Sequence, residues 1–230
     1  PMRCCGGAVC CKHPRRPDVK KTIHRLLTML ALIGGAGFGT AAQAHPHVWI
    51  TAASELIYAA DGSITGVRHA WAFDDMFSTY ALQGIETKTK GVYSREQLAP
   101  LAKDNVENLR EFGFFTFAKA DGKKQKFEEP VDYFLEYKDS TLTLHFTLPL
   151  KVPVKPKQLA LDVFDPAFFI DFKFEEKDPI RLVGAPSSCE LKFQRPGEAD
   201  VKKLTEEMVA SGDNANYGAM YANKILVNCP

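Results

Sequence analysis

Hydrophobic and polar residues alternate along most of the chain with a period of two, which is typical of β-strands that bury one face. The alternation is regular in residues 141–150, where leucine and phenylalanine alternate with threonine and histidine. Residues 47–58 and 64–73 flank Asp61-Gly62, a dipeptide that favours a tight turn. These two segments are therefore predicted to pair as a β-hairpin.

The same pattern predicts further strands and a few helices. The strands are expected at about residues 114–119, 126–129, 131–137, 141–150, 159–163, 168–174, 180–183, 189–193 and 225–229. Asp74-Asp75 opens a short amphipathic helix, Ser94-x-x-Gln97 is a capping-box pattern that opens a second helix to about Phe112, and a third is expected at 199–210. Short spacing between strands favours hairpins, so the predicted fold class is α+β: mainly antiparallel β-hairpins packed as a sandwich-like core, with two or three helices.

The first 44 residues have the features of a secretory signal. A basic segment at Lys20-Lys21 precedes the apolar stretch 26–33, which is too short to span a membrane. Ala42-Gln43-Ala44 supplies small residues at a cleavage site. We therefore expect residues 1–44 to be removed and 45–230 to form one periplasmic domain. Residues 1–19 do not fit a bacterial signal, and translation is expected to begin near Val19.

Cleavage would change the charge of the protein. Residues 1–44 contain seven Lys or Arg and one Asp, so 22 of 29 basic and 27 of 28 acidic residues remain, a net charge of about −5. A nucleic-acid partner is not expected, because proteins that bind nucleic acids carry basic patches. An acidic protein is compatible with holding a cation.

The cleaved chain would keep two cysteines, Cys189 and Cys229. In an oxidising compartment an isolated pair predicts a disulfide, and the alternative is two buried thiols. The bond would make residues 186–230 a candidate disulfide-tied appendage.

The start of the cleaved chain carries the main candidate chemistry. His45 would become the N-terminal residue, so its α-amine and its imidazole could chelate one metal ion, and His47 adds a third nitrogen. Amine and imidazole nitrogens suit Cu, Ni and Zn. Pro46 has no amide hydrogen, which excludes the square-planar mode that uses deprotonated amides. The alternative is that His-Pro-His simply begins the first strand.

Three other residues are candidate ligands. The first hairpin would bring Asp74 towards His47, although capping of the following helix also explains an aspartate there. Asp165 precedes a proline at a strand end and ranks below Asp74. His69 lies among large apolar residues, where a hydrogen-bonded core histidine is the more common role.

Four motifs together resemble one bacterial family. They are His45-Pro46-His47-Val48-Trp49 after the signal, Trp71-Ala72-Phe73-Asp74-Asp75-Met76-Phe77-Ser78, Phe164-Asp165-Pro166-x-Phe168-Phe169, and Ile225-Leu226-Val227-Asn228-Cys229-Pro230. The chain is similar to the domain of unknown function family 1007, also described as the periplasmic component of an uncharacterised ABC-type transport system. Phe164 stands where the family motif has tyrosine. The resemblance implies a periplasmic protein that accompanies nickel/cobalt- or zinc-type membrane transporters, and it implies no established reaction.

Two classes of function follow. The first is a periplasmic accessory that binds a divalent transition metal (Ni, Zn or Cu) and works with a membrane metal transporter. The second is a non-catalytic interaction or structural module without bound metal. An enzyme is not predicted, because no nucleophile and base occur in a recognisable pattern.

Overall fold

The computed structural model describes residues 46–197 and 217–230, without the side chain of Tyr217. The strands are β1 (Val48–Tyr58), β2 (Ile64–Phe73), β3 (Thr116–Ala120), β4 (Lys123–Lys124), β5 (Val131–Lys138), β6 (Thr141–Val154), β7 (Gln158–Val163), β8 (Ile170–Phe174), β9 (Ile180–Val183), β10 (Glu190–Gln194) and β11 (Asn223–Asn228). The helices are α1 (Asp75–Ala81) and α2 (Arg95–Leu109), with 3-10 segments at Arg110–Phe115 and Tyr217–Tyr221. The fold is mainly β, and the helix expected at 199–210 lies outside the described residues.

The strands form two sheets that pack as a sandwich. The order in the first sheet is β5-β6-β2-β1-β8, with β9 also pairing with β1, and the order in the second sheet is β10-β11-β7-β3-β4. The expected hairpins β1/β2 and β5/β6 are confirmed as antiparallel pairs. A hairpin also follows β3, but the return strand expected at 126–129 is wrong: β4 is Lys123–Lys124, because Asp121-Gly122 forms a two-residue turn and pairing resumes directly after it. The C-terminal stretch joins the second sheet, because β11 pairs with β7 as well as with β10.

The expectation of a sheet built only from antiparallel hairpins is wrong for β1. Both β8 and β9 run parallel to β1, so the first sheet is mixed. Turn signals identify partners that are adjacent in the chain, whereas β8 reaches β1 from more than a hundred residues away. This pairing places the loop before β8 beside the first residues of β1.

The core lies between the two sheets. Alternate residues of β1 and β2 are buried, as the period of two requires. Trp71 is almost fully buried, and its ring packs edge-on against Phe146 and Phe172, with ring centroids 4.8 and 4.9 Å away. These apolar contacts fix the end of β2 at which α1 begins.

A capping box determines where α2 begins, and one apolar face determines how it packs on the first sheet. The capping box is confirmed: Gln97 N–H donates to Ser94 Oγ (3.3 Å) and Ser94 N–H donates to Gln97 Oε1 (2.8 Å). Three buried side chains, those of Leu98, Ala102 and Val106, form the face that packs against β5. No helix of the described residues is long and apolar enough to cross a membrane.

Candidate metal site

His47 lies directly before β1 and is held there by the loop that precedes β8. Its backbone N–H donates to the carbonyl of Phe169 (2.8 Å), and Val48 N–H donates to the same oxygen (3.3 Å). The imidazole is exposed, and its ring centroid lies 4.8 Å from that of the Phe169 ring. The backbone of His47 is therefore fixed on the fold while its ring faces outwards. His45 lies outside the described residues.

Asp74 is close to this end of β1, as the hairpin predicts, but its carboxylate already has two partners. Oδ1 accepts from Phe77 N–H (2.8 Å), which caps α1, and Oδ2 accepts from Trp49 N–H (3.0 Å). Asp74 N–H in turn donates to the Trp49 carbonyl (3.0 Å). The residue therefore caps a helix and also extends the pairing of β1 with β2.

Replacing Asp74 with asparagine is expected to lower the free energy of unfolding by about 1–2 kcal/mol while leaving metal affinity within about threefold. Asparagine caps a helix about as well as aspartate. The asparagine side chain has only one carbonyl oxygen, however. Either Phe77 N–H or Trp49 N–H would therefore face its NH₂ group and lose its hydrogen bond. Urea unfolding and metal titration of the Asp74→Asn protein measure the two effects.

The matched control for this change is Asp75→Asn, in the first turn of the same helix, on an exposed residue. It should change the free energy of unfolding by only a few tenths of a kcal/mol. If Asp74→Asn loses metal affinity tenfold with the fold intact, Asp74 belongs to the ligand set and the structural assignment is wrong.

Asp165 holds the loop that carries Phe169. Its side chain is buried; Oδ1 accepts from Ala167 N–H (2.9 Å), and Oδ2 accepts from Phe169 N–H (2.9 Å) and Ile170 N–H (3.1 Å). Three backbone donors on one carboxylate organise the turn from β7 into β8. Asp165 therefore positions the carbonyl that anchors His47, and its oxygens point at the backbone.

His69 lies apart from this end of β1, between the two sheets. It is 1% exposed, its Nδ1 lies 2.7 Å from Ser54 Oγ, and its Nε2 lies 3.2 Å from Thr116 Oγ1. Thr116 Oγ1 donates its hydrogen to the Phe114 carbonyl (2.8 Å), so it accepts from Nε2–H, and Ser54 donates to Nδ1. Both ring nitrogens therefore have partners, which is the core role that the sequence analysis favours.

The structure thus brings His47, Asp74 and Asp165 to one end of β1 and leaves His69 in the core. Within residues 46–197 and 217–230, no three His, Cys, Asp or Glu side chains are grouped closely enough to hold a metal ion. The described side chains at this end therefore do not by themselves make up a set of metal ligands.

Asp171 is a further carboxylate near this end of β1 that no sequence motif marks. It pairs with Trp49 in the register of β1 and β8, on the outward face that the first sheet shares with His47. Its side chain is 15% exposed, and Lys173 Nζ lies 3.8 Å away. Burial raises the pKa of the Asp171 carboxyl more than Lys173 lowers it. The sequence does contain one indication of this residue: Asp171 lies between Ile170 and Phe172, so the alternation of the strand places it on the face opposite to the buried Phe172.

The chain is similar to a bacterial protein, to a solved structure and to one protein family. The chain is 28% identical over 93 residues to an uncharacterized 15.5 kDa protein encoded in the trpE 3' region of Spirochaeta aurantia. That match covers 40% of this chain and 66%, slightly under two thirds, of the relative.

Among solved structures, acetylcholine-binding protein type 1 of Biomphalaria glabrata matches 89% of this chain and 96% of its own. The two are 8% identical with a TM-score of 0.36, which carries no argument about fold or function. The family described as "Protein of unknown function (DUF1007)" matches residues 29–229. Because that match covers most of the sequence, the chain belongs to the DUF1007 family.

Proposed function

We propose that the protein is a periplasmic accessory that binds a divalent transition metal and works with a membrane metal transporter. The observation that carries the proposal is the placement of His47. Its imidazole is exposed, and its backbone is held at the start of β1, immediately after His45-Pro46, by hydrogen bonds from His47 N–H and Val48 N–H to the Phe169 carbonyl. A signal cleaved after Ala44 would add the amine and imidazole of His45 two residues before it.

The proposed ligands are nitrogen donors from the processed N-terminus. The α-amine and imidazole of His45 and the imidazole of His47 would supply three nitrogens, a set suited to Ni, Zn or Cu. Pro46 keeps the intervening amide out of the coordination shell because it has no hydrogen to lose. No catalytic step is part of the proposal.

Asp171 is the carboxylate we assign as the completing ligand. Asp74 and Asp165 have both oxygens engaged with backbone N–H groups, whereas Asp171 faces outwards with Trp49 in the strand beside His47. A bound cation would favour the charged form that burial disfavours. Lys173 offsets only part of the effect of burial on the Asp171 carboxyl, and a bound cation would stabilise its charged form further.

The cellular part of the proposal rests on the predicted export and on the family resemblance. Both the signal-like segment and the net charge of about −5 after cleavage fit a periplasmic protein that holds a cation. The transporter partner comes from the resemblance to proteins that accompany nickel/cobalt- or zinc-type transporters.

Moving the N-terminal amine away from His45 is expected to weaken metal binding more than tenfold, about 1.4 kcal/mol. A glycine inserted between Ala44 and His45 leaves both imidazoles but removes the amine from chelating position. The amine has a reference pKa near 8, so a metal displaces its proton readily at neutral pH. Both forms are purified after export, their N-termini are verified by mass, and each is titrated with Cu(II), Ni(II) and Zn(II) at fixed pH.

Further variants separate the ligands. His47→Ala and Asp171→Asn should each weaken binding further, and affinity should fall as the pH is lowered because protons compete for the same nitrogens. Equal affinity of the two N-terminal forms contradicts the chelating terminus. If neither form binds metal, the proposal is wrong and the interaction-module alternative remains.

A further inference from the structure

A groove of about 840 Å³ lies between the C-terminal half of α2 and the loop from Asp165 to Ile170. Its floor is apolar and includes Leu109, Phe115 and Ile170. The wall from Leu101 to Phe112 is roughly 17 Å long at the rise of α- and 3-10 helices. That length matches about three turns of a helix, so the groove suits a polypeptide segment better than a compact small molecule.

Aromatic side chains stand exposed around the groove. Phe112 is 50% exposed, Phe169 is 46% exposed and Phe117 is 37% exposed, and all three line the groove. The ring of Phe112 stacks on that of Phe115, with centroids 5.3 Å apart, which holds it at the rim. Single exposed apolar residues are ordinary, but a cluster around one concave surface is typical of interaction sites.

Strained backbone borders the groove on both sides. Phe114 and Phe115 have φ of 55° and 47° where α2 ends, and Phe168 in the opposite loop has φ of 55°. Left-handed conformations are unfavourable for bulky residues and persist where the surrounding structure fixes them, often at functional sites. The fold therefore holds both walls in conformations that these phenylalanines would not adopt by themselves.

The charges that line the groove have one sign. Asp104 and Glu111 are exposed on the helical wall, and Asn105 and Asn108 lie between them. The described lining residues include no Lys, Arg or His. By contrast, an adjoining cavity of about 430 Å³ that shares Phe117 and Pro166 with the groove has lysines at 119, 124 and 224 beside a single acidic residue, Asp162. Acidic lining is thus a property of this groove and not of every concavity.

We propose that the groove binds a basic, amphipathic segment of a partner polypeptide. Apolar side chains of that segment would cover Phe112, Phe115 and Phe117, and its Lys or Arg side chains would face Asp104 and Glu111. The inference goes beyond metal binding and does not depend on it, because neither His47 nor Asp171 is among the described residues that line the groove.

The direct test uses two short amphipathic peptides, one of leucine and lysine and a twin with glutamate in place of each lysine. The lysine peptide should bind the exported protein at least about tenfold more tightly than its twin, with a smaller difference at high salt. Fluorescence anisotropy at two salt concentrations measures this. Equal binding of the two peptides, or binding of neither, overturns the proposal.

Paired variants locate the binding. Asp104→Lys with Glu111→Lys should weaken the lysine peptide tenfold or more, and Phe112→Ser should weaken it without changing the net charge. The matched control, Glu175→Lys with Glu190→Lys, makes the same change in charge at exposed residues outside the groove. An equal loss in that control overturns the proposal, because attraction would then depend on net charge alone.

A lipid surface is the competing occupant. Vesicles of phosphatidylcholine with phosphatidylglycerol should not bind at the groove, because anionic lipid would face Asp104 and Glu111. Vesicle binding that Phe112→Ser abolishes, with no binding of either peptide, overturns the polypeptide proposal in favour of a membrane. Circular dichroism and urea unfolding verify that each variant is folded.

Discussion

Removing the disulfide between Cys189 and Cys229 is expected to lower the free energy of unfolding by about 4 kcal/mol. The two residues are separated by 40 positions, and closing a loop of that length restricts the unfolded chain strongly. In the folded protein they lie one residue beyond the paired Glu190 and Asn228, so the strands already hold them near each other. Urea unfolding of the Cys189→Ala/Cys229→Ala protein measures the loss.

Reduction of the unaltered protein is the control for this prediction. It breaks the bond but leaves both half-buried side chains in place, including the Cys229 sulfur 3.9 Å from the Tyr58 hydroxyl. Alkylation and mass measurement without reductant should first show no free thiol on either cysteine. A difference of less than about 1 kcal/mol between oxidised and reduced protein contradicts the chain-entropy argument.

Strands that pair with a neighbour in the chain could be predicted from the sequence. The expected bounds of the second strand, 64–73, are those of β2, because Asp61-Gly62 fixes the turn and the alternation fixes the buried face. The sequence pattern predicts that α2 continues to about Phe112, whereas the helix ends at Leu109. Gly113 and the two phenylalanines after it turn the chain out of the helix in left-handed conformations, which no local rule assigns to phenylalanine.

Pairings between distant segments could not be predicted. Nothing in residues 168–174 indicates that they lie parallel to β1, since parallel partners share no turn. Because that pairing carries the loop of Asp165 to His47, the sequence could name both residues but not the contact that joins them.

In the candidate site, too, the local features could be predicted from the sequence and the contacts between distant segments could not. The hairpin correctly predicted that Asp74 lies near the start of β1, and the capping role of the same residue was also expected. What could not be predicted is the second bond, from Trp49 N–H to Oδ2, because it depends on the exact alignment of two strand ends. Asp171 could not be predicted as a candidate ligand either, because only the parallel pairing of β8 with β1 places it beside Trp49.

Lowering the pH from 8 to 4.5 is expected to cost the protein about 2–3 kcal/mol of stability through His69 alone. Burial between the sheets lowers the pKa of His69 from 6.5 to about 3. The unfolded chain takes up a proton as the pH falls through 6.5, whereas the folded protein does not until about pH 3, so acid favours unfolding over that interval. The hydrogen bonds agree with a neutral ring, because Ser54 donates to Nδ1 and Nε2–H donates to Thr116.

Urea unfolding between pH 8 and 4.5 tests this through His69→Gln, which should remove most of the slope of stability against pH because glutamine does not titrate. The matched control is His145→Gln. Burial also lowers the pKa of His145, but that ring is only half-buried, and Glu136 Oε2, 3.6 Å from its Nε2, acts in the opposite direction. This variant should therefore keep most of the dependence of stability on pH. Should His69→Gln fail to fold, nitrogen NMR of the unaltered protein decides the matter. The ring should stay in the neutral Nε2–H form down to pH 4.5, and a His69 that titrates near pH 6.5 contradicts the hydrogen-bond assignment.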